Sequence, residues 1–465
     1  MDRPLLTLLR RASAALCTGL VSGAMMVGCN HDVKRPIIKE KYPSLPAKIV
    51  PPYMHRTIYE EVDLGNTDPY PISSYGLVVG LSNTGDTTAP TAVREYMIKE
   101  MTKHGFGSRT IGMERQSPEV VLRDRSVAIV QVVGMLPPGV RKYQNFDVYV
   151  SCLPGNQTYS LAGGKLFLAE LRKDGANPRN PFGAVNVFGQ AKGFIFVNPA
   201  YALNHEPTPR GPARASLRNG VILDGGVALF DRPLFLRLRQ PQFRLSRSIE
   251  QRLIERFQDT KIAQAEDEGI VQIYVPPSYH GDWGHFAQLA MHVYLESTPE
   301  FEAVRAQQLV QEAMKPDAAL EDISYCWEAL GASALPYLAP LLADHGTRPE
   351  VAFAAARAAA YIGDPTGAGA TALMQMARSP ENPFQLNAVQ ALGGMPPSGT
   401  ISHMLRELLD SEKTQVRIEA YKILARNNDA IIQSEVVTKT EDHQKFVLDV
   451  VPTKGRPLIF ATRSG

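Results

Sequence analysis

Tyr75-Gly76-Leu77-Val78-Val79-Gly80-Leu81 is a short apolar run, and Asn83-Thr84-Gly85-Asp86 closes it. An apolar run that ends on a Gly/Asn/Asp cluster reads as a strand meeting a turn. The chain around it alternates strand and helix signals. Thr91 to Met101 carries helical spacing at Val93, Met97 and Met101. Val127–Met135 and Phe146–Leu153 read as strands, separated by Pro137-Pro138-Gly139. In the second, Phe146, Val148 and Val150 alternate with Asp147, Tyr149 and Ser151, as on a strand with one buried face. Leu161–Leu168, with Gly163-Gly164-Lys165, is a turn entering a further strand, and Val185–Ala191 adds one more. Ser248-Ile249-Glu250-Gln251 fits a capping box, predicting a helix that opens there with Ile249, Leu253, Ile254 and Phe257 on one face. Ile270–Val275 reads as a strand and Trp283–Leu295 as a helix. Residues 56–300 are thus expected to form a mixed α/β region.

The whole chain has 465 residues, with 44 % apolar and 21 % charged side chains, which excludes disorder throughout. Its net charge of +2 resides in the first 28 residues, where Arg3, Arg10 and Arg11 face only Asp2. The neutral remainder argues against nucleic acid as the main partner, because phosphate binding needs clustered Lys and Arg. Residues 12–27 are apolar or small and too short to span a bilayer, which suits a secretory signal over 1–28. That run ends at Met26-Val27-Gly28-Cys29, which resembles a bacterial lipobox with Cys29 as the lipidated residue. Asn30 behind it resembles cargo for the outer membrane. Residues 29–55 are rich in Pro and Lys and read as a tether. Cys152 and Cys326 are expected as unpaired buried thiols.

Five ordered segments carry a family resemblance. The run Tyr75 to Leu81 with Thr84, Gly85 and Asp86 resembles the N-terminal signature of the bacterial flagellar P-ring protein family. Phe146-Asp147-Val148-Tyr149-Val150-Ser151 resembles its D-V-x-V-S strand, and Ser160-Leu161-Ala162-Gly163-Gly164-Lys165-Leu166 its S-L-x-G-G-x-L segment. Val187-Phe188-Gly189-Gln190-Ala191 matches its V-A-Q-G strand more loosely. Asn219-Gly220-Val221-Ile222 stands where the family has N-G-A-x-x-E, without the glutamate. The resemblance covers about half the chain. It implies a structural, non-enzymatic subunit in a ring of copies around the flagellar rod, a periplasmic bushing that meets rod and outer ring proteins.

The family's β-rich C-terminal region is not evident after about residue 300. Instead, the small residues Cys326, Ala358, Ala388 and Ala420 recur at spacings of 32, 30 and 32. Leu330, Ile362, Leu392 and Leu424 follow four positions later, and Gly331, Gly363 and Gly393 read as helix C-terminal glycines. Residues 301–430 therefore resemble short HEAT-type helical repeats, with Leu335–Leu342 and Ile401–Leu409 among the accompanying helices. Phe446–Val451 and Pro457–Ala461 read as strands of a β tail over 431–465, packed on the α/β region or on a neighbour.

No motif supports catalysis. The P-loop, G-x-G-x-x-G, G-x-S-x-G and H-E-x-x-H patterns are all missing from the sequence. His280, His285 and His292 are clustered, but His285 and His292 lie seven apart, without i, i+4 spacing, and read as ordinary exposed or hydrogen-bonded side chains. Asp86 reads as an Asx-type turn residue, and Gly163-Gly164-Lys165 as a hairpin turn instead of a phosphate cradle. Arg214, Arg218, Arg232, Arg237, Arg239, Arg244 and Arg247 read as a solvated strand face or an acidic subunit's interface. The expectation is an α+β protein: a P-ring-like region, a helical array that docks an envelope partner, a lipid anchor in the membrane, no cofactor and no metal. The alternative is a monomeric lipoprotein scaffold.

Overall fold

The computed structural model describes residues 42–109, 113, 115–197, 217–279, 281–344, 346–437 and 446–461. Contacts divide the chain into two units, Met1–Pro43 and a compact Ser44–Gly465, and the described helices and strands all lie in the second. The signal over 1–28, Cys29, His280 and Arg214 lie outside the described residues.

A turn of helix, α1 (Ile58–Glu61), leads into β1 (Val62–Gly65) and β2 (Tyr70–Val79). Next come α2 (Thr91–Lys103) and α3 (Pro118–Val121). Five strands follow: β3 (Ala128–Leu136), β4 (Asn145–Cys152), β5 (Lys165–Leu171), β6 (Gly189–Phe194) and β7 (Asn219–Ala228). β2 to β7 close an antiparallel barrel in the order β2-β3-β4-β7-β6-β5. Ile72, Val78, Val130, Val132, Phe146, Val148, Val150, Leu166, Leu171 and Ile222 fill it. Phe146 is the bulkiest plug, and three strands carry glycine beside it. A Cβ on Gly134 or Gly226 would lie 2.5 Å from the Phe146 ring, and one on Gly189 3.1 Å from it. The opposite face of β2 is covered too: Tyr75 and Leu77 pack on Val93, Tyr96, Met97 and Met101 of α2. Burial on both faces explains why the sequence there is a continuous apolar run and not an alternation.

β8 (Leu234–Leu238), α4 (Phe243–Phe257), β9 (Ala263–Ala265), β10 (Ile270–Ile273) and α5 (Trp283–His292) build a second sheet, β1-β8-β10-β9, with its helices. Leu236, Val271, Ile249, Leu253, Phe286 and Leu289 share its core. Helix α4 starts at Phe243 with Gln242 at its N-cap, so the capping box expected at Ser248 does not exist. The apolar face that continues upstream through Leu245 overrides the local signal. The strand expected from Val185 starts only at Gly189, after a turn. The turn at Gly163 (φ +76°) joins β4 to β5, which are not neighbours in the barrel, so it is not a hairpin.

Eight helices follow: α6 (Pro299–Ala313), α7 (Leu320–Leu330), α8 (Leu335–Ala343), α9 (Pro349–Ile362), α10 (Ala368–Arg378), α11 (Gln385–Gly393), α12 (Gly399–Leu408) and α13 (Thr414–Arg426). α7, α9, α11 and α13 stack in one layer, and α6, α8, α10 and α12 in another. Cys326, Ala358, Ala388 and Ala420 are all completely buried in this stack. Gly331 and Gly363 cap their helices with positive φ. Gly393 does not: it is the last helical residue, and a Cβ there would lie 2.7 Å from Ile423, so close helix approach demands the glycine.

Residues 44–55, expected as tether, pack closely in this unit. Leu45 N–H donates to Arg239 O, Lys48 donates to Val62 O, and Val50, Tyr53 and Met54 join the core around Trp327. The tail pairs β11 (Gln433–Val437) with β12 (Phe446–Val450), and residues 457–461 form no strand, contrary to expectation. It packs on the last helices of the array: the Tyr421 hydroxyl donates to Asp449, Arg417 to Arg456 O, and the Lys454 and Gly455 amides to Asp410. Within the chain the tail thus meets the helical array, not the α/β region expected for it.

Gly226→Ala forces a methyl into the Phe146 ring and should cost about 1–3 kcal/mol in denaturant unfolding. Adding Phe146→Leu should recover part of that loss; equal stability of Gly226→Ala and the parent would refute this account of the barrel.

Candidate functional site

β2 and β4 both run antiparallel to β3, so their C-terminal ends emerge at the same barrel end, where β7 begins. The signature loop Asn83–Asp86 meets residues 153–161 there. Gly85 N–H donates to Arg125 O at 2.8 Å, and a Cβ on Gly85 would sit 2.2 Å from Val127 O. The Thr84 hydroxyl donates to Ser160 O (2.8 Å), and Thr84 O accepts from Tyr159 N–H. Asp86 Oδ2 accepts from Gln157 N–H at 2.6 Å, while Oδ1 accepts from the hydroxyl and amide of Thr88. Asn156 donates to Asp86 O, and Arg218 closes the clasp on Leu153 O, Asn156 O and Thr158 O. Burial raises the Asp86 pKa, but the Gln157 and Thr88 donors outweigh it and hold the carboxyl below its ordinary 3.8. Both oxygens of Asp86 are engaged, Oδ1 in its own Asx-type turn and Oδ2 across to Gln157, which suits architecture and leaves little for acid–base chemistry.

The other sequence candidates scatter. Gly76 points into the barrel, where a Cβ would meet Leu166 and Val132. Gly80 turns the chain out of β2 with φ +79°. Asp147 accepts from Asp224 N–H between β4 and β7. A Cβ on Gly164 would strike Val78, and one on Gly220 would strike Ile195. Asn219 is exposed at the start of β7. Of the arginines expected on one solvated face, three bind within the fold. Arg218 holds the clasp, Arg232 is buried on Leu136 O, Asn66 and Asp68 O, and Arg239 pairs with both oxygens of Asp63. Loop and strand-end carbonyls took Arg218 and Arg232 inward and the Asp63 carboxylate took Arg239, which no local pattern reveals.

His285 and His292 do share a face, against α7. His285 Nε2 lies 2.9 Å from Glu328 Oε1, and His292 Nδ1 lies 2.7 Å from Gln288 O. Both are buried. One constellation escaped the sequence reading: the ligand atoms of Glu100, His104 and Glu170 lie within 4.8 Å of one another. Lys103 and Arg172 already neutralise Glu170, at 2.5 and 2.6 Å. Burial raises the Glu170 pKa, yet these two cations outweigh it and lower the value. The cluster is therefore an ion-pair network between α2 and β5. Only the i, i+4 spacing of Glu100 and His104 hinted at it. Burial pushes Cys152 up to about 11 and Cys326 up to about 12, so neither is an activated nucleophile. The barrel wall also carries an open groove of about 660 Å³, bordered by Tyr143, Lys165, Phe167, Lys192, Asp224 and Leu229.

A model of the flagellar P-ring protein matches residues 61–303, just over half of the chain. The chain belongs to the flagellar P-ring protein family. Three curated flagellar P-ring proteins illustrate the relation. That of Geotalea uraniireducens is 28 % identical over 237 residues, covering 49 % of this chain and 56 % of the relative. Those of Geobacter metallireducens and Rhodospirillum rubrum are 30 % and 31 % identical, over 44 % and 45 % of this chain and 52 % and 51 % of theirs. The chain thus spans about half the length of the curated relatives it matches. The P-ring match takes in the barrel and the second sheet and ends inside α6, so the stacked helices lie almost wholly outside it.

Asp86→Asn should destabilise the protein by about 1–2 kcal/mol at pH 7, a value already reduced for partial exposure. Because the folded pKa is depressed, the stabilisation exists above pH 3.8 and fades as pH falls through the lower folded value. Chemical denaturation of both proteins from pH 7 to pH 3 should show the gap narrowing; a constant gap would contradict the carboxylate's role.

Proposed function

We propose that this protein is a structural subunit of the flagellar basal-body P ring, a non-enzymatic periplasmic ring of copies around the rod that serves as a passive bushing. The P-ring family match over residues 61–303 carries the reading. The clasp at the barrel end supports it, since its polar groups tie loops together in place of forming a reactive centre. A closed ring needs a head-to-tail interface whose rotation returns to its start, and the barrel region would supply it. The HEAT-like array over 301–430 is proposed as a peripheral docking surface for another envelope component, with rod and outer ring proteins as further partners. Among the described residues no helix is long and apolar enough to cross a membrane. The proposed attachment is lipid on Cys29, to the outer membrane.

A second reading, a monomeric envelope scaffold, draws on the array lying almost wholly beyond the family match. Deleting the gene should abolish swimming, and electron microscopy of the purified protein should show rings. Unimpaired swimming with monodisperse single particles would overturn the first reading in favour of the second.

A further inference from the structure

An aromatic knob stands at the outer end of the second sheet. Phe243 is 64 % exposed at the first turn of α4. The backbone N–H of Gln242 donates to Glu268 O, which sets Glu268 beside the knob, and Arg244 follows on the helix. The groove on the barrel wall offers the counterpart. Tyr143, 68 % exposed, and Leu229 border it, as do Lys192 and Asp224. A Cβ on Gly225 would lie 3.0 Å from Lys192 O, so Lys192 and Asp224 are neighbours, as Glu268 and Arg244 are. Among the described residues, none of these four charges has an ion-pair partner. Knob and groove lie apart in one chain. β8 leaves the barrel just after Arg232, which donates to Leu136 O, and crosses the second sheet before Phe243 emerges beyond its far end.

We propose that Phe243 of one copy seats in the barrel-wall groove of the next, beside Tyr143, with Glu268 meeting Lys192 and Arg244 meeting Asp224. The inference rests on the ring reading and names the interface that reading needs. The groove of about 660 Å³ has ample room for a phenyl ring. Aromatic side chains at the centre of a contact, with charges paired around them, are the usual anatomy of a protein interface. The charge pattern selects a second copy as the occupant. A lipid surface would favour one sign of charge, whereas knob and groove each carry both signs, placed so that opposites meet. The surroundings agree in sign: Lys165 also borders the groove, and Glu266 and Asp267 precede Glu268. Because knob and groove are different surfaces, the contact is head to tail, the kind from which a closed ring is built. Both surfaces lie within residues 61–303, the span of the family match.

Two single variants of the full chain, Gln242→Cys beside the knob and Lys142→Cys beside the groove, test it directly. Mixed and treated with a short thiol-to-thiol cross-linker, they should give a covalent dimer well above the level of the parent chain. Each variant alone should stay at that level, because a head-to-tail contact never brings two copies of one surface together. Lys192→Glu should weaken self-association at least about tenfold by analytical ultracentrifugation, with unchanged circular dichroism, and adding Glu268→Lys to the same chain should restore it. The proposal is overturned by a mixture that cross-links no better than either variant alone, by association untouched by Lys192→Glu, or by a loss that Glu268→Lys does not relieve. Rings of the parent chain without cross-linking in the mixture would overturn this interface and leave the ring reading standing. Cross-linked chains of copies that never close would support the interface and overturn the ring.

Discussion

The Phe146 ring against Gly134, Gly189 and Gly226 is the contact on which the barrel depends. A six-stranded barrel is narrow, and one aromatic side chain reaches across much of its interior. It fits only because three facing strands lack a Cβ where it lies. The plug helps to hold the register: a one-residue slip of β3 or β6 would replace Gly134 or Gly189 with a side chain, and a slip of any of these strands would turn the inward set outward. With the register held, β2, β4 and β7 bring their ends together, and the Asp86 clasp can form.

The clasp and the ion-pair network on α2 play similar physical roles. Each joins segments far apart in the chain through charge-assisted hydrogen bonds, which are stronger than neutral ones when partly shielded from water. Asp86 and Arg218 join the loops after β2 and β4 to the start of β7. Lys103, Glu170 and Arg172 join α2 to β5. Polar groups that resemble catalytic material are thereby committed to holding loops and helices.

The helical array is joined to the rest by shared side chains. Tyr325 and Ala329 of α7 belong to the core of the second sheet, while Cys326 and Trp327 of the same helix belong to the core of the stack. Residues 44–55 close the joint from outside, with Tyr53 and Met54 buried under Tyr294, whose hydroxyl donates to Tyr53 O. A proline-rich segment docks well here because its restricted backbone loses little further entropy on ordering.

Strong local patterns made much of this legible in the sequence. Period-two alternation placed β4, the apolar run placed β2, and the spacing of Cys326, Ala358, Ala388 and Ala420 located the helix layer, because a stacked helix must offer a small residue at each crossing. The signature segments pointed to the family from their residues alone. Tertiary structure decided what depends on distant partners. It moved the start of α4 from Ser248 to Phe243, since burial of an extended apolar face outweighs one capping hydrogen bond. It turned Arg218 and Arg232 inward, because loop and strand-end carbonyls need donors, and drew Arg239 onto the Asp63 carboxylate. It laid the tail on the array, where Asp410, Arg417 and Tyr421 offered the hydrogen bonds. The sequence by itself determined which residues must be buried and how often; only the closed chain decided against what, since a polar or apolar pattern names a face but not the surface that meets it.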